Sequence, residues 1–163
     1  MDELLTNIDL KYYCDLLKLP LIAILNKDLF KTIKSKIGCY IINMQDSDDG
    51  NGSHWTGLII NKDIAIFYDS FGLAIPPDII HFIRRFNKKI KIIYSIDGIQ
   101  NIKSILCGWY VLEFFYFYYI QNKNCKAYKQ LLNIHNNQFI NNNSIKNDDI
   151  LKSKIKHIFK NII

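Results

Sequence analysis

Residues 107–121 read CGWYVLEFFYFYYIQ. The segment is apolar on every side, which is typical of a helix buried in the middle of a domain rather than of a surface helix. Its most apolar part, Trp109 to Ile120, is 12 residues long and contains Glu113, whereas a membrane-spanning helix needs about 20 apolar residues. The sequence therefore predicts a buried central helix that begins at Cys107.

Shorter apolar runs on either side of this helix predict a sheet and further helices. Runs rich in β-branched residues indicate strands at 39–44, 54–60, 63–69 and 90–95. Helical spacing, a Thr6–Asp9 capping box and the paired prolines at 76 and 77 indicate helices at 8–18, 27–35, 76–87, 124–137 and 148–161. Helices that flank a central mixed β-sheet constitute an α+β fold.

The 163 residues suit a single domain spanning residues 1–163, since no repeat or linker divides them. The acidic start, Met1-Asp2-Glu3, is unlike the basic start and apolar run of a signal peptide. We therefore expect a protein made in the cytosol, neither secreted nor held in a membrane. The cysteines form no CxxC pair, so we expect free thiols and no bound metal; they are Cys14, Cys39, Cys107 and Cys125.

The net charge of +6 is unevenly distributed. Residues 1–80 hold seven Lys and eleven acidic residues, whereas residues 81–163 hold fourteen Lys or Arg and four acidic residues. A basic C-terminal half suggests a polyanion partner such as DNA. The alternative is that scattered lysines only solvate helix faces.

The strands at 54–60 and 63–69 carry a candidate His–Asp pair. If Asn61-Lys62 is a two-residue turn, His54 lies directly opposite Asp69, with Cβ atoms about 4.5–5.5 Å apart. A carboxylate at that distance can hold an imidazole in one tautomer and stabilise its charged form. The alternative is a surface histidine that lies beside an acid by chance.

Cys107 is the candidate nucleophile, because a thiolate at a helix N-terminus is stabilised by the positive end of the helix dipole. Gly108 would let a substrate approach the sulfur. Gln100, seven residues upstream, could donate an amide N–H to a developing oxyanion beside the backbone N–H of Cys107. The alternatives are a buried core cysteine and an ordinary loop glutamine. Cys14 and Cys39 look structural, and no motif accompanies Cys125.

These segments together resemble the adenovirus-type cysteine proteases. Gly52-Ser53-His54-Trp55, Phe67-Tyr68-Asp69-Ser70-Phe71-Gly72, Gln100 and Cys107-Gly108-Trp109-Tyr110 are similar to that family's His, acid, Gln and Cys motifs, in the same chain order. The same order marks proteases that process ubiquitin-like proteins. The resemblance covers roughly residues 38–117, about half of the chain.

The resemblance implies His54 as general base, Asp69 as its orienting partner, Gln100 as oxyanion donor and Cys107 as nucleophile at the start of a central helix. It also implies cleavage at glycine-containing sites, with Trp55 as one wall of the cleft or as a core residue. No cofactor is then required, although DNA or a peptide could activate the enzyme.

The substrate implied by the resemblance is a capsid or other virion precursor. The protease would then lie in the virion and in the cytoplasm or nucleus of the host cell. Two alternatives remain at this point: a protease for ubiquitin-like modifiers, and a basic nucleic-acid-binding module on an inactive protease scaffold.

Overall fold

The computed structural model describes residues 3–50, 54–122 and 128–160. Within these ranges one sheet contains five strands, β1 (Leu21–Asn26), β2 (Gly38–Asn43), β3 (Trp55–Ile60), β4 (Ile64–Tyr68) and β5 (Lys91–Tyr94), side by side in that order. Strands β2, β3 and β4 are antiparallel, and the two outer strands run parallel to their neighbours. The predicted α+β fold with a central mixed sheet is thus confirmed.

Helices lie on both faces of this sheet. They are α1 (Asn7–Leu16), a 3-10 helix (Lys27–Thr32), α2 (Pro77–Phe86), α3 (Cys107–Tyr116), α4 (Tyr128–Asn136) and α5 (Ser144–Lys160). The α3 helix continues as a π-helical turn over Phe117–Gln121. The predicted capping box is present at the start of α1, where Asp9 N donates to Thr6 Oγ1 over 3.2 Å and Thr6 N donates to Asp9 Oδ2 over 2.9 Å.

Three elements differ from the sequence prediction. The helix predicted at 27–35 is a 3-10 helix that ends at Thr32, because the backbone is extended at Ile33. Strand β1 was not predicted, because its six residues carry no alternating pattern and follow Pro20 directly; it pairs in parallel with β2 through an irregular register near Leu21. Helix α5 begins at Ser144, four residues before the predicted start, after Asn143. The predicted residues 124–127 and 161 lie outside the described ranges.

The predicted central helix lies in the core. Every residue from Cys107 to Phe115 is buried, and α3 packs on one face of the sheet together with α1 and α5. A Cβ at Gly57 of β3 would lie 2.9 Å from Phe115 Cε1 and 3.2 Å from Val111 Cγ1. Glycine at this position therefore lets α3 approach the sheet closely.

The single charge in the central helix is compensated by two other helices. Glu113 Oε2 lies 2.5 Å from His135 Nε2 of α4, and Glu113 Oε1 accepts a hydrogen bond of 2.9 Å from Lys154 of α5. Burial raises the pKa of Glu113, but the charges of His135 and Lys154 outweigh that effect and lower it. The network therefore holds the outer helices to the helix that begins at Cys107.

The predicted register of the β3–β4 hairpin is wrong by two residues. Ile60 pairs with Ala65, Asn61 N donates to Ile64 O over 2.8 Å, and the turn residues are Lys62 and Asp63. The Asn61 side chain accepts a hydrogen bond of 2.7 Å from Lys62 N, which favours a turn beginning at Asn61. A slip of two residues leaves every side chain on its predicted face, since side chains alternate with period two.

Candidate active site

The His–Asp pair forms where β3 begins and β4 ends. His54 immediately precedes β3, Asp69 immediately follows β4, and His54 Nε2 lies 2.8 Å from Asp69 Oδ1. The same carboxylate oxygen accepts a hydrogen bond of 2.7 Å from Phe71 N. The Phe71 ring stacks on the imidazole with ring centroids 4.4 Å apart. Asp69 and Phe71 therefore fix both the tautomer and the plane of the His54 ring.

The Cys107 thiol lies beside this pair at the first residue of α3. Trp55 N, the amide next in the chain after His54, is 3.5 Å from Cys107 Sγ. His54 Nδ1 is buried and has no partner of good hydrogen-bond geometry among the described residues. The thiol interacts electrostatically with the ring, and Nδ1 is the ring nitrogen that Asp69 leaves available to exchange a proton with sulfur.

The electrostatics of the site favour a charged imidazole. Burial lowers the pKa of His54, but its interactions with Asp69 and then with Cys107 outweigh burial and raise the pKa from 6.5 to about 9. A protonated ring stabilises a neighbouring thiolate, and the positive end of the α3 dipole does the same. The arrangement can therefore hold a thiolate–imidazolium pair.

Gln100 is held in place by a serine that the sequence analysis did not single out. Ser70 Oγ donates to Gln100 Oε1 over 2.5 Å, and Gln100 Nε2 donates to Ser104 O over 3.0 Å. Gln100 is 5% exposed and Ser70 is fully buried. A carboxamide carries two N–H donors, so one remains for another acceptor.

The loop that carries Gln100 is locked to the loop that carries Asp69. Ser70 O accepts hydrogen bonds of 2.8 and 2.9 Å from Ile99 N and Gln100 N. Gly72 has a φ of +71°, and a Cβ there would lie 2.6 Å from Ile96 O and 2.7 Å from Gly98 N. Backbone packs against backbone at this junction, which only glycine permits.

A cleft of about 350 Å³ adjoins the pair and contains His54 and Trp55 in its walls. Residues 4–7 and the end of β1 also line this cleft. Trp55 Nε1 donates to Leu5 O over 2.9 Å, so the indole is fixed to the N-terminal segment while it lines the cleft. The structure thus gives Trp55 a place in the cleft wall and a packing contact at once.

Gly108 has a packing role that the sequence analysis did not consider. A Cβ at this position would lie 3.2 Å from Leu5 Cβ and 3.3 Å from Leu10 Cδ2. The hydrogen atom that replaces a side chain thus points to the N-terminal segment and α1. This contact is one reason for glycine after Cys107, and the approach of a substrate to the sulfur stays a prediction.

The two other described cysteines differ from Cys107 in their surroundings. Cys14 in α1 and Cys39 in β2 are fully buried in the core. Burial raises the pKa of Cys14 to about 12 and raises that of Cys39 further, so both resist forming a thiolate. Cys125 lies outside the described residues.

Residues 3–50, 54–122 and 128–160 contain no group of three or more His, Cys, Asp or Glu side chains that could hold a metal ion. No helix in those ranges is both long and apolar enough to span a bilayer. In the basic half, Arg84 and Arg85 donate to backbone carbonyls, with Arg84 bound to Ile90 O over 2.7 Å, so these two cations stabilise the fold.

Comparison with known proteins gives distant structural similarities. No family model matches the chain, and no curated protein sequence matches it. The fold is similar to a crystal structure of a protease from African swine fever virus, with 18% identity and a TM-score of 0.43 over 71% of this chain. The chain spans 42% of that protease.

A second similar structure is the central domain of an uncharacterized protein from Legionella pneumophila. It shares 12% identity and a TM-score of 0.48, over 93% of this chain and 97% of that domain.

Proposed function

We propose that this chain is a cysteine protease in which Cys107 attacks a peptide carbonyl. The observation that carries the proposal is the placement of an aspartate-bound imidazole beside a thiol at a helix N-terminus. His54 Nε2 is 2.8 Å from Asp69 Oδ1, and Cys107 Sγ is 3.5 Å from the backbone amide next to His54. This is the arrangement that nucleophilic catalysis by cysteine needs.

The residues then take the following roles. The Cys107 thiolate attacks the carbonyl carbon, and the oxyanion that forms accepts hydrogen bonds from the free N–H of Gln100 and from Cys107 N. The His54 imidazolium gives its proton to the leaving amine, which departs and leaves a thioester. Neutral His54 then takes a proton from water, whose oxygen attacks the thioester carbon. The C–S bond breaks, the acid leaves, and the Cys107 thiolate is restored beside the protonated His54. Asp69 keeps the ring in place throughout.

A thiol-reactive probe tests the nucleophile directly. Iodoacetamide at neutral pH should alkylate Cys107 far faster than Cys14 or Cys39, because those two thiols lie in the core away from the His–Asp pair and have raised pKa values. The labelled peptide is identified by mass spectrometry. The preference for Cys107 should disappear in His54→Ala, with Ser95→Ala as a matched control for a buried polar side chain outside the site. Equal labelling of all cysteines would contradict the proposal.

The substrate that we propose is a capsid or other virion precursor cleaved at a glycine-containing site. The support for this substrate is the resemblance of the His, Asp, Gln and Cys motifs to those of the adenovirus-type proteases. If the substrate is a virion precursor, the protease is expected in the virion and in the infected cell. Purified protein is incubated with Gly-Gly peptides and, in parallel, with a ubiquitin-like modifier carrying a C-terminal fluorophore. Release from the modifier alone would contradict this substrate and favour the modifier-protease alternative.

A further inference from the structure

The Ser70 hydroxyl is hydrogen-bonded to the side-chain amide of Gln100. It donates to Gln100 Oε1 over 2.5 Å, while Gln100 Nε2 donates to Ser104 O over 3.0 Å. A backbone carbonyl can only accept, so the nitrogen end of the carboxamide belongs on the Ser104 side. The oxygen end then faces Ser70, and the hydroxyl must be the donor.

The direction of this carboxamide matters for chemistry. Its two ends have nearly the same shape but opposite hydrogen-bonding character. An amide turned by 180° would present an acceptor where the oxyanion forms, and the two oxygens would repel. The hydroxyl also polarises the amide by donating to its oxygen, which strengthens its N–H groups as donors.

The side chain and the main chain of Ser70 have separable roles. Its carbonyl accepts Ile99 N and Gln100 N, and these two bonds hold the loop whatever the side chain is. Removing the hydroxyl should therefore leave the loop in place and loosen only the Gln100 amide, which then keeps a single orienting hydrogen bond, to Ser104 O. The contact between His54 and Asp69 does not involve the Ser70 hydroxyl, so it should also survive.

We propose that Ser70 is a positioning residue that holds the Gln100 amide with its free N–H toward the oxyanion. This inference rests on the proposed cysteine-protease function and adds a residue to it. It assigns the serine after the catalytic acid to stabilisation of the transition state, and it couples the acid loop to the oxyanion site.

The test compares two reactions of the same thiol. Alkylation by iodoacetamide needs the thiolate but forms no oxyanion, whereas hydrolysis of a Gly-Gly-aminomethylcoumarin peptide needs both. Ser70→Ala should lower kcat by about tenfold or more with little change in KM, since loss of one oxyanion donor typically costs about 10²–10³ in rate. The alkylation rate of Cys107 should stay within twofold of the wild type.

A double variant and a matched control complete the design. In the Gln100→Ala background, Ser70→Ala should have no further effect on kcat, because the group that it positions is absent. Ser95→Ala removes another buried hydroxyl, bound to Asn136 and Asp97, and should leave both rates unchanged. If Ser70→Ala does not fold, Ser70→Cys retains a side chain of similar shape with a weaker donor and a slightly larger atom, and mass spectrometry separates the two labelled peptides.

The outcomes are distinct. A kcat for Ser70→Ala within twofold of the wild type, an equal fall in alkylation and hydrolysis, or full additivity with Gln100→Ala would each overturn the role of Ser70. In those cases the protease function itself stands. A wild-type chain with neither selective alkylation of Cys107 nor hydrolysis would overturn the proposed function and this inference together.

Discussion

The carboxylate of Asp69 lies 2.8 Å from the imidazole of His54 although the two residues are not partners across the hairpin. Continuing the observed register beyond Gly57 and Tyr68 places Asp69 opposite Thr56, so His54 is its diagonal neighbour. Diagonal neighbours on one face lie within reach of longer side chains. Because His54 and Asp69 lie just outside the paired segments of β3 and β4, their side chains can converge at the end of the sheet.

Replacement of Cys107 by alanine should abolish peptide hydrolysis and leave the fold intact. The residue is buried at the start of α3, and alanine has a high helix propensity and removes only one sulfur atom. Hydrolysis of the coumarin peptide and the circular dichroism melting curve measure the two effects. Cys39→Ala removes a buried thiol outside the site and should retain activity; activity in Cys107→Ala would identify a different nucleophile.

Replacement of Gln100 by alanine should lower kcat more than it raises KM, because an oxyanion donor acts mainly in the transition state. A loss of about 10²–10³ is typical for one such donor. Steady-state kinetics measure both constants, and Asn101→Ala in the same loop serves as the control. An effect confined to KM would remove Gln100 from the oxyanion site.

The unfolding free energy should depend on pH through His54. The folded-state pKa of about 9 lies above the ordinary value of 6.5, so the folded protein binds an extra proton between these values. The stabilisation is therefore complete below about pH 6.5 and is lost as the pH rises through about 9. At about 1.4 kcal/mol per pKa unit, the total is a few kcal/mol.

Urea unfolding of wild type and of His54→Gln at pH 6, 7, 8 and 9 measures this contribution. The free energy of unfolding of the wild type should fall by a few kcal/mol relative to that of the variant over that range, because only the wild type loses the proton. Parallel pH profiles of the two proteins would contradict a charged His54 in the folded state.

Replacement of Gly72 by alanine should destabilise the protein more than replacement of Gly108 by alanine. The Gly72 Cβ would meet backbone atoms at 2.6 and 2.7 Å and adopt a positive φ, whereas the Gly108 Cβ would meet side-chain atoms at 3.2 and 3.3 Å. Side chains can move by a few tenths of an ångström and backbone cannot do so cheaply. The urea midpoints of the two variants, compared with that of the wild type, rank their losses of stability. A smaller loss at Gly72 than at Gly108 would contradict the close packing of the two loops.

DNA, if it is a partner, should bind the basic C-terminal half in a salt-dependent way. A titration of a labelled duplex at rising salt gives the slope of log K against log salt, which reports phosphate contacts. Lys88→Glu with Lys89→Glu, both exposed, should weaken binding, whereas the matched pair Lys34→Glu with Lys36→Glu should not. Binding that ignores salt, or no binding, would contradict this partner.

The sequence predicted those elements of the fold that have a strong local pattern. The all-round apolar segment after Cys107 predicted the buried helix, and the capping box at Thr6 predicted the start of α1. Strand β1 escaped prediction because its pairing with β2 is set by tertiary contacts and not by a local pattern. The turn was misplaced by one residue because Asn61 was predicted as a turn residue, whereas it is the last residue before the turn.

The candidate site was predictable to a lesser extent. Alternation along the hairpin placed His54 and Asp69 on one face, and that placement survived the register error because the error was an even number. Ser70 and Leu5 were missed because their roles depend on long-range contacts, with Gln100 and Trp55 respectively. Nothing in the local sequence indicates such partners.

The loop that carries Asp69 packs against the loop that carries Gln100 where Gly72 meets Gly98, so the positions of these two side chains depend on the same backbone contact. Thermal loosening of either loop would displace both groups at once, so heat should remove turnover in a single cooperative step and not through a partly active form. Directed evolution of this scaffold would accordingly find few tolerated changes at the junction, and would have to adjust substrate preference through residues 4–7 and the end of β1, which line the cleft.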